Sequence, residues 1–296
     1  MADPVILEGI IAPVLVPFDA NDKIITTRLA EQVDFGIEEC GVHGLMCVGT
    51  ESSELAHLSK EERMLVIETV TTAARGRVPV VAGASGTYTS ECLEVAHLAK
   101  AVGATAIVVT PPYVIPTSEE ETVELYQVLS DEVGMPMMVY NSPVMSFDMS
   151  LDLLDRIASI ENMVSMKEST RHFAKIASIC DRLLDRLTLL TTIHVLVPTL
   201  AFGGHGCIVP VGPAKVGVEI YDLYRSGDME AAVALQKRAY KLSEGYVEDR
   251  RLATAYYKQS LTNMGIDVGQ PRPPFHHLSQ AEKDQLADAM RQLNLI

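Results

Sequence analysis

The sequence predicts a (β/α)8 barrel of the TIM type, in the α/β class, followed by a C-terminal helical appendage. Three observations predict it. Eight short apolar runs rich in β-branched residues alternate with longer amphipathic stretches. Each run with its following stretch spans roughly 20–35 residues, the size of one βαβ step. The runs are nearly continuous in apolar residues, as strands buried on both faces require. Eight such units favour closure into a barrel, although periodicity alone leaves a doubly wound open sheet as the alternative.

The elements follow in chain order. Strands are expected at 10–16, 44–48, 78–82, 106–109, 136–140, 163–166, 187–191 and 207–209. Helices are expected at 27–39, 60–74, 90–101, 118–132, 151–160, 172–184, 195–202 and 214–225. Thr26 and Thr27 mark the start of the first helix, and Ser59 with Glu62 three residues on reads as a capping box before the second. Beyond residue 226 the strand pattern stops. Helical stretches near 228–247, 250–264 and 279–293 follow, with the turn-rich 269–274 between the last two. The expected organisation is therefore a barrel over 1–226 and a helical region over 227–296.

Composition excludes several function classes. Of the 296 residues 48% are hydrophobic and none is Trp, so the core must be aliphatic. The formal net charge of −15, with no Lys/Arg run, argues against a nucleic-acid partner, which needs a basic surface to displace counterions. The first ten residues carry Asp3 and Glu8 and no basic region before an apolar stretch, so no signal peptide is expected. No window approaches about 18 uninterrupted apolar residues, so no membrane partner is expected either. Cys40, Cys47, Cys92, Cys180 and Cys207 form no CxxC pair and stand among aliphatic neighbours. They read as buried free thiols in a reducing compartment, the cytoplasm. No His/Asp/Glu set stands at ligand spacing, so neither a metal nor a cofactor is expected.

Barrel active sites sit at the C-terminal ends of the strands. Lys167 closes the run Met163-Val164-Ser165-Met166, and an amine held there is desolvated, which favours the neutral form that attacks carbonyls. The plainer reading is a lysine splayed at the rim beside Glu168. Tyr140 closes another strand before the Asn141–Pro143 turn; it reads either as a proton shuttle or as a core residue with a wet tip. Thr50, Ser52 and Ser53 follow Gly49 at a strand-to-helix turn, where hydroxyls and backbone N–H groups hold anions or cap the helix.

Gly49-Thr50-x-Ser52-Ser53-Glu54, Tyr140-Asn141-x-Pro143, Lys167-Glu168-Ser169-Thr170 and Gly203-Gly204-His205-Gly206-Cys207-Ile208 occur in one order and register. In this the chain resembles, over essentially its whole length, the dihydrodipicolinate synthase / N-acetylneuraminate lyase family. The resemblance implies a class I lyase in which Lys167 forms an imine with pyruvate or another 2-oxo acid and Tyr140 handles the proton at the aldol hydroxyl. It implies that Thr50, Ser52 or Ser53 binds the carboxylate and relays protons. It also implies that Ile208 lines the pocket, that Tyr113 is lent across a subunit interface, and that the assembly is a homotetramer of tight dimers.

Three departures narrow the substrate. The loop 49–54 is one residue longer than the family's usual Gly-Thr/Ser-Thr-Gly-Glu, so the hydroxyl carrying the relay is not fixed. Met145 stands where dihydrodipicolinate synthases place an arginine for a second carboxylate, which a thioether cannot pair. Thr191-Thr192-Ile193-His194-Val195 replaces the acidic residues that hold a sugar tail in sialate lyases, and His194 reads as a satisfied core histidine, with a substrate contact as the alternative. Met145, Phe147, Ile193 and Val195 point to a small, partly apolar substrate for aldol or dehydration chemistry. The alternatives are 4-hydroxy-tetrahydrodipicolinate synthase itself and a non-catalytic relative that binds 2-oxo acids. Pyridoxal phosphate on the lysine is a further rival, for which the glycine-rich 203–206 is a poor phosphate loop.

Overall fold

The computed structural model describes residues 5–49, 54–247 and 253–296. Eight parallel strands close in sequence order: β1 (Gly9–Pro13), β2 (Gly44–Cys47), β3 (Val80–Gly83), β4 (Ala106–Val109), β5 (Met137–Asn141), β6 (Met163–Glu168), β7 (Thr188–Thr192) and β8 (Gly206–Ile208). β8 pairs back onto β1 through Ile10↔Cys207, which settles barrel against open sheet. Between them run α1 (Thr26–Glu38), α2 (Lys60–Ala74), α3 (Thr89–Ala101), α4 (Glu119–Val133), α5 (Leu151–Ala158), α6 (Phe173–Leu183), α7 (Leu196–Ala201) and α8 (Ala214–Arg225). The C-terminal helices are α9 (Met229–Val247), α10 (Ala253–Asn263) and α11 (Gln280–Gln292).

The continuous apolar runs have their cause in two cores. Ile11, Met46, Val81, Val108, Met138, Leu190 and Ile208 fill the barrel interior, with Leu7 below them. The alternate residues, such as Ile10, Cys47, Ala82, Ile107, Val139, Met166 and Leu189, pack outward against the helices. Both faces of each strand are thus buried, as a parallel barrel demands.

Helix starts differ in part from expectation. Ser59 and Glu62 form the capping box reciprocally, and Ser118/Glu121 and Ser279/Glu282 form two more. Thr26 and Thr27 make no cap; they are the first helical residues, behind Ile25. A one-turn 3-10 helix, Leu55–His57, precedes α2 where none was expected.

The appendage is tied to the barrel by a buried cation. Lys258 of α10 is 1% exposed; its Nζ donates to the carbonyls of Val16 (2.7 Å) and Gln270 (3.0 Å) and lies 3.2 Å from the equally buried Glu54 carboxylate. Glu54 in turn accepts the Val16 N–H at 3.1 Å and sits in the left-handed region at φ +58°, closing the loop after β2. Removing one member of such a pair strands the other charge in the core. Lys258→Met is expected to lower unfolding stability by about 3–5 kcal/mol, and adding Glu54→Gln should recover much of that loss. Denaturant unfolding of the three variants checks it; equal stability of the single and double variants contradicts the clamp.

Candidate active site

β5 and β6 do not pair evenly. Met137 opposes Met163 but Met138 opposes Ser165, so Val164 has no partner on β5. Such a bulge reverses the alternation of the strand beyond it. Met163 and Met166 pack outward with the helices, while Ser165 and Lys167 fall opposite the inward Met138 and Tyr140. With unbroken alternation Met166 would face inward and Lys167 the helices. The bulge is what delivers the lysine to the barrel interior.

There Lys167 is 7% exposed and Tyr140 1%. Lys167 Nζ donates to the Tyr140 hydroxyl at 2.9 Å and lies 4.0 Å from the ring centroid. This is the reading in which the amine enters the barrel, and it displaces the splayed rim lysine. Burial pushes the pKa of the nearby Cys207 thiol up strongly. Ile208 ends β8, pairs with Thr192 and Ile11, and belongs to the same interior cluster as Tyr140.

The end of β2 is strained. Val48 has φ +54°, rare for a β-branched residue and of the kind that collects at functional sites. Its carbonyl lies 1.8 Å from where a Cβ on Gly83 would stand, so β3 must carry glycine there. Thr50, Ser52 and Ser53, which follow this bend, lie outside the described residues. Tyr113 is half-buried against the outer core and makes no hydrogen bond to Tyr140 or Lys167 of its own chain. Beside it Val114 and Ile115 are 71% and 76% exposed.

Residues not singled out in the sequence also belong here. Thr110, Ser142 and Thr192 have buried hydroxyls with no hydrogen-bond partner. They continue the inward positions of Val108, Tyr140 and Leu190 at the strand ends. Orphaned buried hydroxyls ask for a ligand or water. Their only sequence signal was a polar residue closing an apolar run. Phe147, Ile193 and Val195 are half-buried and pack in part against the outer core, as Tyr113 does.

The glycine-rich 203–206 precedes β8 and so lies at the opposite end of the barrel from the site. His205 Nδ1 accepts the Leu189 N–H at 3.2 Å, and a Cβ on Gly204 would meet Thr199 at 2.4 Å. The segment closes β7 onto β8 at the end away from Lys167. Among the described residues no group of His, Cys, Asp and Glu could hold a metal, and no helix is long and apolar enough to cross a membrane.

His194 departs from expectation. It packs edge-on to Tyr240, yet both ring nitrogens are buried without a hydrogen-bond partner, facing an apolar cavity of about 90 Å³ shared with Val209, Tyr256, Leu286 and Met290. Burial lowers its pKa from 6.5 to about 4, with the Arg171 charge acting in the same direction. The native imidazole is therefore neutral where the unfolded one binds a proton, so stability falls as pH drops from 6.5 towards 4. His194→Leu should remove this slope: between pH 7 and pH 5 the wild type is expected to lose about 2 kcal/mol more than the variant. Urea unfolding at the two pH values measures it, and parallel losses would refute it.

A family model described as the dihydrodipicolinate synthetase family matches residues 6–293. A 4-hydroxy-tetrahydrodipicolinate synthase of Phenylobacterium zucineum is 33% identical, with 100% of both chains covered. Among solved structures, YagE of E. coli, a prophage protein of the dihydrodipicolinic acid synthase family in complex with pyruvate, is 27% identical with a TM-score of 0.92, covering 99% of this chain and 100% of that one. N-acetylneuraminate lyase of Fusobacterium nucleatum, at 20% identity, TM-score 0.89 and 97% and 98% coverage, shares the fold.

Proposed function

This chain belongs to the dihydrodipicolinate synthetase family, and on that premise we propose that it is a class I lyase forming a Schiff base between Lys167 and pyruvate or another 2-oxo acid. The observation that carries the reading is the buried Lys167 amine with the Tyr140 hydroxyl 2.9 Å away at the C-terminal end of the barrel. Its relatives include a protein named 4-hydroxy-tetrahydrodipicolinate synthase and a family member solved in complex with pyruvate.

The chemistry follows from the geometry. Neutral Nζ adds to the ketone carbon, and the carbonyl oxygen gains two protons and leaves as water, giving the imine. The protonated imine withdraws electrons from the neighbouring carbon. A proton on that carbon, or its bond to the next carbon, then breaks to give an enamine. Tyr140 passes a proton to the departing oxygen and accepts one from the hydroxyl of an aldol substrate, a role that its hydroxyl 2.9 Å from Nζ supports. Cleavage, condensation and dehydration all pass through these steps.

Thr50, Ser52 or Ser53 binds the substrate carboxylate in this reading, and Ile208 lines the pocket. The orphaned hydroxyls of Thr110, Ser142 and Thr192 support a substrate with hydrogen-bonding groups along its remaining carbons. Met145, unable to pair a carboxylate, argues against a second acidic group there. Tyr113 reaches the site of a neighbouring copy in a homotetramer of tight dimers; its distance from Tyr140 bonding in its own chain and the exposed Val114 and Ile115 support this. The five free buried cysteines support a cytoplasmic setting.

Pyruvate with borohydride should leave a single covalent adduct on Lys167, seen by intact mass and peptide mapping, and Lys167→Ala should show none. Tyr140→Phe should keep the adduct yet slow exchange of the pyruvate methyl hydrogens in D2O by about 10²–10⁴-fold, the range for loss of a general acid–base. An adduct on another lysine would end the proposal.

A further inference from the structure

β5 and β6 each present two consecutive polar residues to opposite sides. Tyr140 and Lys167, paired in register, face the barrel interior; the next rung, Asn141 and Glu168, faces the helices, and both of its members have no exposed surface. Asn141 Nδ2 donates to Glu168 Oε2 at 2.7 Å and to Asp148 Oδ1 at 3.1 Å, and its Oδ1 accepts the Met149 N–H at 3.0 Å. The other Glu168 oxygen accepts the Thr170 N–H at 2.8 Å. Lys175 Nζ lies 3.9 Å from Glu168, donates to the Met149 carbonyl at 3.0 Å and pairs with Asp148. The Asn141 carbonyl accepts from Ser169, N–H at 3.2 Å and hydroxyl at 3.1 Å.

A buried carboxylate is a costly way to fill space. Burial raises the pKa of Glu168, against the pull of Asn141, Thr170 and Lys175. Apolar residues of similar volume would pack the same gap at no such cost, so polar pairs in a core are best explained where register matters. Register matters here more than elsewhere, because β6 carries a bulge just upstream and a one-residue slip would turn Lys167 out of the barrel.

We propose that the Asn141–Glu168 pair is a positioning device, locking the rung beyond Tyr140–Lys167 so that amine and phenol stay within hydrogen-bond reach through imine formation. The assignment rests on the Schiff-base reading. Neither residue touches substrate; each acts through the catalytic residue that precedes it. A glutamine at 168 has one acceptor for two donors. Whichever way its amide turns, an N–H faces the N–H of Asn141 or of Thr170.

Two rates test it, borohydride trapping of pyruvate on Lys167 and deuterium exchange into the pyruvate methyl group. Glu168→Gln is expected to slow both by about 10²-fold, the effect of misplacing reacting groups by about 1 Å, while half-saturating pyruvate moves less than about threefold. The exchange Asn141→Asp with Glu168→Gln, made together with Asp148→Asn so that the new carboxylate meets an amide donor, reverses donor and acceptor in the same contact and should recover at least about tenfold. Trapping and exchange at wild-type rates in Glu168→Gln would overturn the proposal, as would equal rates in the single and the exchanged variants. Should Glu168→Gln not fold, Asn141→Ser, which leaves Thr170 and Lys175 on Glu168, must show the slowing; unchanged rates there overturn it too. Absence of a Lys167 adduct in the wild type sinks the Schiff-base reading and this proposal together, whereas an adduct with unaffected variants sinks this proposal alone.

Discussion

An amine and a phenol 2.9 Å apart, inside a barrel lined mainly by apolar side chains, set the terms for the rest of this structure. Neither group is suited to an apolar interior alone, and each gives the other a hydrogen-bond partner. In the proposed reaction their chemistry depends on that closeness. A lysine must lose a proton before it attacks a ketone, and something nearby must handle the protons of the carbinolamine. The surrounding strands hold still two side chains that water would keep apart.

Several features around the pair serve this end. The Val164 bulge turns the lysine inward, and the outward Asn141–Glu168 rung ties the two strand ends on their other face. The strained Val48, admitted by Gly83, bends the chain away from β2 just before the hydroxyl-bearing segment 50–53. At the far end of that segment Glu54 is held by Lys258 from the C-terminal helices. The appendage therefore reaches the loop after β2 through a buried ion pair, although among the described residues it supplies no side chain to the Lys167–Tyr140 contact.

Other polar residues that look chemical in a sequence have structural roles. His205 caps the β7 backbone, and the glycines around it let β8 start against close neighbours. His194 is instead kept neutral in an apolar cavity between the β7 and β8 loops and the C-terminal helices. The inward hydroxyls of Thr110, Ser142 and Thr192 are buried without partners, and they stand at the ends of three different strands.

Much was legible in the sequence, because burial on both faces forces apolar runs, and eight runs with eight helices leave few ways to fold. Each expected strand overlaps an observed one, and the capping box at Ser59 formed as its spacing dictates. Lys167 and Tyr140 could be picked out because a charged or hydroxylated residue closing such a run is conspicuous. Their direction could not be read. Met163 to Glu168 alternates the wrong way for an inward lysine unless one residue is skipped, and only pairing against β5 shows the skip. Likewise the contacts that half-bury Ile193, Val195 and Phe147 against the outer core come from residues elsewhere in the chain. Periodicity is a local property and carried the elements; facing, partnership and strain arise between distant segments, and the closed barrel decided them.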